Sequence, residues 1–256
     1  MLSLHALPAF NDNYIWALAA PDGRAVIVDP GQADPVRAAA DAGLRPVALL
    51  LTHHHADHIG AVPELLQRWP VPVYAPHDDR IADVSERVAH GSRVRIEALD
   101  ACFEVLEVPG HTRSHIAFVG AGRLFCGDTL FSLGCGRLFE GTPEQMLDSL
   151  DRLAALDGEL EVCCGHEYTL ANARFALEVE PENEDLRQRF AQATLQRAAQ
   201  LPTLPSTLDQ ERRTNPFLRC DQPGPKHAAR ARLGREPRNR AESFATLRAW
   251  KDGFRA

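Results

Sequence analysis

The sequence predicts a mixed α/β domain in residues 1–170 and a smaller, mainly helical domain in residues 171–256. Up to about residue 168, short apolar segments alternate with turns and helical pieces. Residues 170–200 and the tail from Arg230 are helical in composition instead. The chain has 256 residues, of which 45% are apolar and 25% are charged, as in ordinary globular proteins.

Apolar runs bounded by turn-forming residues predict eight strands. They lie at residues 25–28, 47–51, 71–74, 93–96, 102–108, 116–119, 123–126 and 160–164. Helices are predicted at residues 35–42, 61–68 and 143–156. The last begins with Thr142 as a capping residue and Pro143 at the first helical position.

Charge and hydropathy exclude several classes of protein. The net charge of −7 argues against general nucleic-acid binding. The longest aliphatic run, residues 47–51, is far shorter than the roughly 20 residues that cross a bilayer. Residues 1–16 lack the Lys and Arg of a signal peptide. We expect a cytoplasmic monomer that binds neither nucleic acid nor membranes, with its six cysteines reduced because no C-x-x-C pair is present.

The segment Thr52-His-His-His-Ala-Asp-His58 directly follows a predicted buried strand. A chance match to the pattern H-x-H-x-D-H is expected on the order of once in a thousand such chains. Imidazole and carboxylate groups suit zinc, iron or manganese. His53, His55, Asp57 and His58 are therefore predicted metal ligands, and their spacing allows two adjacent metals.

Three further candidate ligands follow predicted strands in the same manner. They are His111 in the sequence PGHT, Asp128 in CGDT and His166 in CGHEY. A glycine precedes each one and allows the backbone to turn sharply at the edge of the sheet. These three loops are predicted to converge on the same site.

Other polar residues near these motifs receive simpler interpretations. His54 is expected to point away from the metals, and His115 is a candidate for hydrogen bonding to a ligand. Asp29, which precedes Pro-Gly, is expected to support the site by bonding to the local backbone of its turn. Cys135 lies between two glycines without a paired histidine, so a role as nucleophile is disfavoured.

The ordered motifs H-x-H-x-D-H, P-G-H-T, G-D and G-H-E-Y resemble the metallo-β-lactamase superfamily and, within it, the glyoxalase II (hydroxyacylglutathione hydrolase) family. The resemblance implies an αββα sandwich. It also implies one metal held by His53, His55 and His111, and a second held by Asp57, His58 and His166, with Asp128 bridging. We expect two divalent ions per chain, Zn²⁺ first, with Fe or Mn as alternatives.

The resemblance also implies a substrate site. The family holds glutathione through positions that correspond here to Arg137, Phe139, Tyr168, Arg248 and Lys251. Some members carry Tyr where this chain has Phe139, so a hydroxyl contact there is lost. Residues 222–256 carry nine Lys and Arg against three acidic residues, and composition alone favours solvated helix faces for most of them.

The implied reaction is hydrolysis of S-(2-hydroxyacyl)glutathione, with S-D-lactoylglutathione giving D-lactate and glutathione in the second step of methylglyoxal detoxification. Two metals that share Asp128 would lower the pKa of a bound water toward about 7, and Asp57 would orient that water. The alternative is a mononuclear-iron persulfide dioxygenase of the same fold; His58, His166 and the basic C-terminal pair favour the hydrolase. A lactonase, a nuclease and a non-catalytic metal-binding module are weaker alternatives, and the acidic body disfavours the nuclease.

Overall fold

A computed structural model describes residues 1–255. The strands are β1 Ser3–Ala9, β2 Asn13–Ala19, β3 Arg24–Val28, β4 Arg45–Leu50, β5 Val73–Ala75, β6 Glu86–Arg87, β7 Arg93–Ile96, β8 Ala101–Glu107, β9 Ile116–Gly120, β10 Arg123–Gly127, β11 Leu130–Phe131, β12 Gly134–Cys135, β13 Glu161–Cys164 and β14 Ser206–Thr207. The α-helices are α1 Ala33–Asp41, α2 Ala56–Ile59, α3 Val62–Arg68, α4 Pro143–Ala154, α5 Thr169–Val179, α6 Glu184–Ala198, α7 Leu208–Thr214, α8 Pro223–Leu233 and α9 Arg240–Gly253. No helix within residues 1–255 is long and apolar enough to cross a membrane.

Contacts divide the chain into two units that interleave along the sequence. The first consists of Met1–Glu107, Ser114–Gly127 and Cys163–Glu167. The second consists of Val108–Arg113, Asp128–Val162 and the chain from Tyr168 onward.

A six-stranded sheet in the order β1 to β6 forms one part of the first unit. β1, β2 and β3 pair in antiparallel fashion, whereas β3, β4, β5 and β6 pair in parallel. All seven residues of β2 are buried, as expected of a strand that is covered on both faces. The apolar residues of α1 and α3 join those of the sheet in one hydrophobic core. This core supports the loop that follows β4.

The strands β7 to β10 form an antiparallel meander in the same unit. The end of β13 lies beside β10, and the backbone N–H of Gly165 donates to the carbonyl of Gly127 at 2.9 Å. The ends of β4 and β9 also meet, since Ile116 N donates to Thr52 O at 3.0 Å. The segments that follow β4, β10 and β13, and the one that precedes β9, therefore leave their sheets at strand ends that meet in pairs.

The second unit is mainly helical. A capping box starts α4, because the Thr142 hydroxyl accepts from the backbone of Gln145 while the Gln145 side chain accepts from the backbone of Thr142. The centre of the C-terminal helices is aromatic: the rings of Phe175 and Phe217 stack at 5.9 Å, and Phe244 meets Phe217 edge-on at 5.8 Å. All three phenylalanines are fully buried.

The predicted strands and helices agree with the observed ones to within a few residues, but the structure contains several elements that were not predicted. β1 and β2 were not predicted, because Pro8 and the polar residues of the connecting turn obscure the pattern of two paired strands. The helical stretch 170–200 is divided at residues 180–183, where Pro181 prevents a continuous helix. The two-residue strands β6, β11, β12 and β14 and the short helices α2 and α7 were not predicted, because they are too short to show a periodic signal.

Phe244→Ala should lower the free energy of unfolding by about 3–5 kcal/mol, because truncation leaves a cavity in the aromatic centre. Urea unfolding followed by circular dichroism measures the change. Leu195→Ala is the control: Leu195 is 73% exposed, so its truncation should cost less than about 0.5 kcal/mol. A loss below about 1 kcal/mol for Phe244→Ala would show that this ring is not central to the packing.

Candidate active site

The loop that follows β4 carries the clustered histidines. It begins after Leu50 and ends in the single turn of α2. His53 and His58 are almost fully buried, at 0% and 1% exposure, whereas Asp57 is half-buried. His53 Nε2 lies 3.1 Å from His55 Nδ1. The loop therefore directs these imidazoles into the protein rather than into solvent.

Asp57, His58 and His166 form one predicted ligand group within the first unit, and their ligand atoms lie within 4.8 Å of one another. Asp57 Oδ2 is 3.5 Å from His58 Nε2 and 3.4 Å from His166 Nε2. Asn13 Nδ2 donates to the same Oδ2 at 3.0 Å and fixes the carboxylate. Two imidazole nitrogens thus face one carboxylate oxygen.

The second nitrogen of each ring shows which tautomer is present. His58 Nδ1 lies 3.0 Å from Asp29 Oδ2, and His166 Nδ1 lies 2.8 Å from Asp12 Oδ1. A carboxylate can only accept, so we assign a proton to Nδ1 in both rings, and in the neutral imidazole the lone pair is then on Nε2. Two nitrogen lone pairs and a carboxylate oxygen directed toward each other form a donor set that suits a divalent metal ion.

The same reasoning assigns the tautomer of His53. The Thr52 hydroxyl donates to Asp29 Oδ2 at 2.7 Å, so it accepts from His53 Nδ1 at 3.0 Å. The lone pair of His53 is therefore on Nε2, the atom that faces His55. Asp29 also accepts from Thr52 N at 2.8 Å. The expectation that the Asp29 side chain bonds within its own turn is wrong, because its partners lie after β4 and on α2.

In the second unit, His111 likewise has one ring nitrogen bonded to an oxygen atom and the other facing a carboxylate, that of Asp128. His111 Nε2 lies 3.4 Å from Asp128 Oδ2, and His111 Nδ1 lies 2.9 Å from the carbonyl oxygen of Arg137. Both side chains are at least 90% buried. The proton again belongs on Nδ1, and the Nε2 lone pair faces a carboxylate.

Gly127 shows why a glycine precedes a predicted ligand. Its φ of +47° lies in the left-handed region that L residues rarely adopt. A Cβ there would lie 2.4 Å from the Thr52 hydroxyl and 2.9 Å from the ring of His115. Any larger residue would displace Thr52, which orients His53.

Two further histidines lie beside the predicted ligands of the first unit. His54 Nδ1 lies 3.4 Å from the buried carboxylate of Asp78. The ring of His115 stacks on that of His53 at 4.5 Å, and its Nδ1 contacts the carbonyl oxygen of Ile116. Burial raises the pKa of the Cys135 thiol, which opposes formation of a reactive thiolate.

Sequence reasoning gave no role to Asp12 and Asn13, yet they bond to His166 and Asp57. Asp12 precedes β2, and its carbonyl oxygen accepts from Glu167 N at 2.8 Å. This backbone contact places the Asp12 carboxylate against His166. The two residues are 154 positions apart, so only the strand pairing reveals the contact.

The basic residues of the predicted substrate site lie in the second unit. Arg248 is only 5% exposed, and its Nη1 donates to the carbonyl oxygen of Cys135 at 2.7 Å. Asp252 Oδ1 lies 3.0 Å from Arg248 Nη2 and 3.4 Å from Arg137 Nε. One carboxylate therefore neutralises part of the charge of two arginines.

Lys251, Phe139 and Tyr168 are in the same unit. Lys251 Nζ donates to the carbonyl oxygen of Ala171 at 3.1 Å, and burial together with the charge of Arg248 lowers its pKa to about 8. Phe139 is 62% exposed, with its ring 5.2 Å from that of His111. The ring of Tyr168 lies 5.2 Å from that of Phe131.

Solved structures with a similar fold include ETHE1 from Myxococcus xanthus, with a TM-score of 0.66, 24% identity, and coverage of 96% of this chain and 89% of that one. TTHA1623, solved in a di-iron-bound form, has a TM-score of 0.60 and 26% identity over 84% of this chain and 100% of that one.

Two family profiles together match almost the whole chain. The profile of the metallo-beta-lactamase superfamily matches residues 11–166, and that of the hydroxyacylglutathione hydrolase C-terminus matches residues 167–254. The predicted fold class, a metallo-β-lactamase fold followed by a mainly helical C-terminal domain, is confirmed.

Two full-length relatives carry the same description. The hydroxyacylglutathione hydrolase of Xylella fastidiosa strain 9a5c is 59% identical over 99% of this chain and 98% of its own length. That of Xanthomonas euvesicatoria pv. vesicatoria strain 85-10 is 60% identical over 100% of both chains. Since these similarities extend over the whole chain, it belongs to the hydroxyacylglutathione hydrolase family of the metallo-β-lactamase superfamily.

Proposed function

We propose that this protein is a binuclear metal-dependent thioester hydrolase that converts S-(2-hydroxyacyl)glutathione, in particular S-D-lactoylglutathione, to glutathione and a 2-hydroxy acid. One observation carries the proposal. His58 and His166 each have Nδ1 held by a carboxylate, and each presents Nε2 to Asp57. Such an arrangement is typical of histidines that ligate a metal.

The proposed ligand sets are those implied by the family. His53, His55 and His111 would hold one metal; Asp57, His58 and His166 would hold the other; Asp128 would be shared. The tautomers assigned within each unit support this arrangement, since His53 and His111 also carry the lone pair on Nε2. The di-iron form of TTHA1623 supports two metals rather than one. Zn²⁺ is proposed first, and the same donors accept iron or manganese.

When bound, the metal ions would lower the pKa of a water toward about 7 and polarise the thioester carbonyl. The chain itself orients the reactants. Asn13 fixes Asp57 Oδ2, which can then accept a hydrogen bond from the attacking water. After this water loses a proton to solvent, its oxygen adds to the carbonyl carbon and the C–S bond breaks. Glutathione leaves as the thiolate, and the acyl group is released as the 2-hydroxy acid. No side-chain nucleophile is required, in agreement with the buried thiol of Cys135.

The substrate would be held by residues of the second unit. Arg137, Arg248 and Lys251 can bind the carboxylates of glutathione, with Tyr168 and the exposed ring of Phe139 beside them. The match of residues 167–254 to the hydroxyacylglutathione hydrolase C-terminus supports this assignment, and with it a functional division into residues 1–170 and 171–256. Cytoplasmic location and a monomeric state stay predictions.

The mononuclear-iron dioxygenase is the less supported alternative. It would leave part of the oriented donor set without a function, and the relatives at 59–60% identity are described as hydroxyacylglutathione hydrolases.

The wild-type protein, loaded with Zn²⁺, should hydrolyse S-D-lactoylglutathione, as measured by the loss of thioester absorbance. A chelator should abolish the activity, and metal analysis should give about two ions per chain. Asp128→Ala should remove turnover and reduce the bound metal, because the shared ligand is lost. Absence of hydrolysis by fully loaded wild-type protein would contradict the proposed substrate, and full activity of Asp128→Ala would contradict the binuclear site.

The KM of the wild-type enzyme should rise as the pH increases through about 8. The lysine pKa is lowered to about 8, so Lys251 is charged below this pH and loses its positive charge above it. Lys251→Arg keeps its charge throughout this range, so its KM should stay nearly constant. Steady-state kinetics of both proteins between about pH 7 and 9.5 measure the difference. Identical profiles for the two enzymes would exclude Lys251 from substrate binding.

A further inference from the structure

A short hairpin connects Asp128 with Arg137. Its strands are β11 and β12, joined by Ser132 and Leu133, and we call residues 130–135 the hairpin. Leu133 has a φ of +60°, a conformation that costs energy for a residue with a side chain. At the base of the hairpin, Gly136 N donates to Thr129 O at 3.1 Å. The hairpin therefore determines how far apart Asp128, a proposed metal ligand, and Arg137, a proposed substrate-binding residue, lie.

Two buried asparagines bond to the hairpin backbone. Asn215 Nδ2 donates to the carbonyl oxygens of Phe131 and Gly134, at 3.1 and 2.9 Å. Asn172 Nδ2 donates to the carbonyl oxygen of Ser132 at 3.0 Å. Carbonyl groups on both sides of the turn thus accept hydrogen bonds from Asn172 on α5 and from Asn215, which directly follows α7.

Glu211 on α7 supplies the acceptor for the strained residue itself. Its Oε2 accepts from Leu133 N at 2.7 Å and from Asn215 Nδ2 at 3.2 Å, and the side chain is fully buried. Burial raises the pKa of Glu211, and the hydrogen bond from Leu133 N is the largest opposing effect. A buried ionisable group costs free energy, and the catalytic steps proposed above make no use of Glu211.

Backbone carbonyl groups at the C-terminal end of the hairpin and just after it bind side chains of the proposed site directly. The carbonyl oxygen of Cys135 accepts from Arg248 Nη1, and that of Arg137 accepts from His111 Nδ1. A displacement of the hairpin would therefore move Arg248 and His111 together with Arg137.

We propose that Glu211 is a positioning residue for glutathione binding: by holding Leu133 N and Asn215, it fixes the hairpin and with it the arrangement of Arg137 and Arg248. This inference rests on the proposed function. A positioning role can be distinguished from a purely structural one by kinetics. A variant that is only partly unfolded contains fewer active molecules, so its apparent kcat falls while its KM is unchanged. Misplaced arginines weaken substrate binding and raise KM.

The test compares Glu211→Ala and Glu211→Gln in the metal-loaded full-length protein. Glu211→Ala should raise KM for S-D-lactoylglutathione about tenfold or more and weaken the binding of reduced glutathione, measured by calorimetry, by a similar factor. Glu211→Gln should restore both values to within about twofold, because its amide oxygen can accept from the same two donors.

Glu180→Gln is the matched control. Glu180 is a buried carboxylate of the same unit that accepts from Arg219 Nε and Nη2 at 3.0 Å and does not bond to the hairpin. It should lower Tm while KM and the glutathione Kd stay at wild-type values. If Glu211→Ala does not fold, Glu211→Asp replaces it, since Asp keeps the charge but is one methylene shorter; the same rise in KM is expected.

An active wild-type enzyme whose folded Glu211→Ala or Glu211→Asp variant retains the wild-type KM and Kd would overturn the inference. A failure of Glu211→Gln to restore KM would also overturn it. Failure of the wild-type enzyme to hydrolyse the thioester would count against the proposed function instead, so the two failures can be distinguished.

Discussion

An imidazole that ligates a metal has to present the correct nitrogen, and the partner of its other nitrogen decides which one that is. In this protein an oxygen atom is the partner of Nδ1 in each case. It belongs to Asp29 for His58, to Asp12 for His166 and to the backbone carbonyl of Arg137 for His111. Each of the three Nε2 atoms then faces a carboxylate at 3.4 or 3.5 Å. Most other features of the site can be understood as ways of bringing these oxygen atoms into place.

Strand pairing in the first unit places the orienting carboxylates of Asp12 and Asp29 beside their partners. Tyr14 N donates to Gly165 O, and Trp16 Nε1 donates to Cys164 O at 2.9 Å, so the start of β2 is tied to the end of β13. This connection holds Asp12 beside His166. Asp29 follows β3, which pairs in parallel with β4, and it therefore reaches Thr52 directly beyond the end of β4. The second unit shows a comparable dependence on backbone, since carbonyl oxygens near the hairpin bind Arg248 and His111.

Much of the proposed site could be predicted from the sequence, because its proposed ligands occur in dense local patterns at strand ends. His53, His55, Asp57 and His58 lie within six residues, and the other proposed ligands each follow a predicted strand. The orienting residues could not be predicted in this way. Asp12 contacts His166, 154 positions away, and Glu211 contacts Leu133, 78 positions away. The residues that flank these positions in the sequence give no indication of either contact. The sequence also gave no indication that Arg248 is buried and bonded to a carbonyl oxygen, because a basic helix is usually a solvated one.

Metal binding by Asp12→Ala tests the orienting role of the carboxylates most directly. Metal-free wild-type protein and the variant are titrated with Zn²⁺ in competition with a chromogenic chelator. Loss of the acceptor for His166 Nδ1 should weaken one of two sites about 10- to 100-fold, and Asp22→Ala, which removes an exposed carboxylate bonded to Arg24, should bind as the wild type does. Two sites of wild-type affinity in Asp12→Ala would contradict the account.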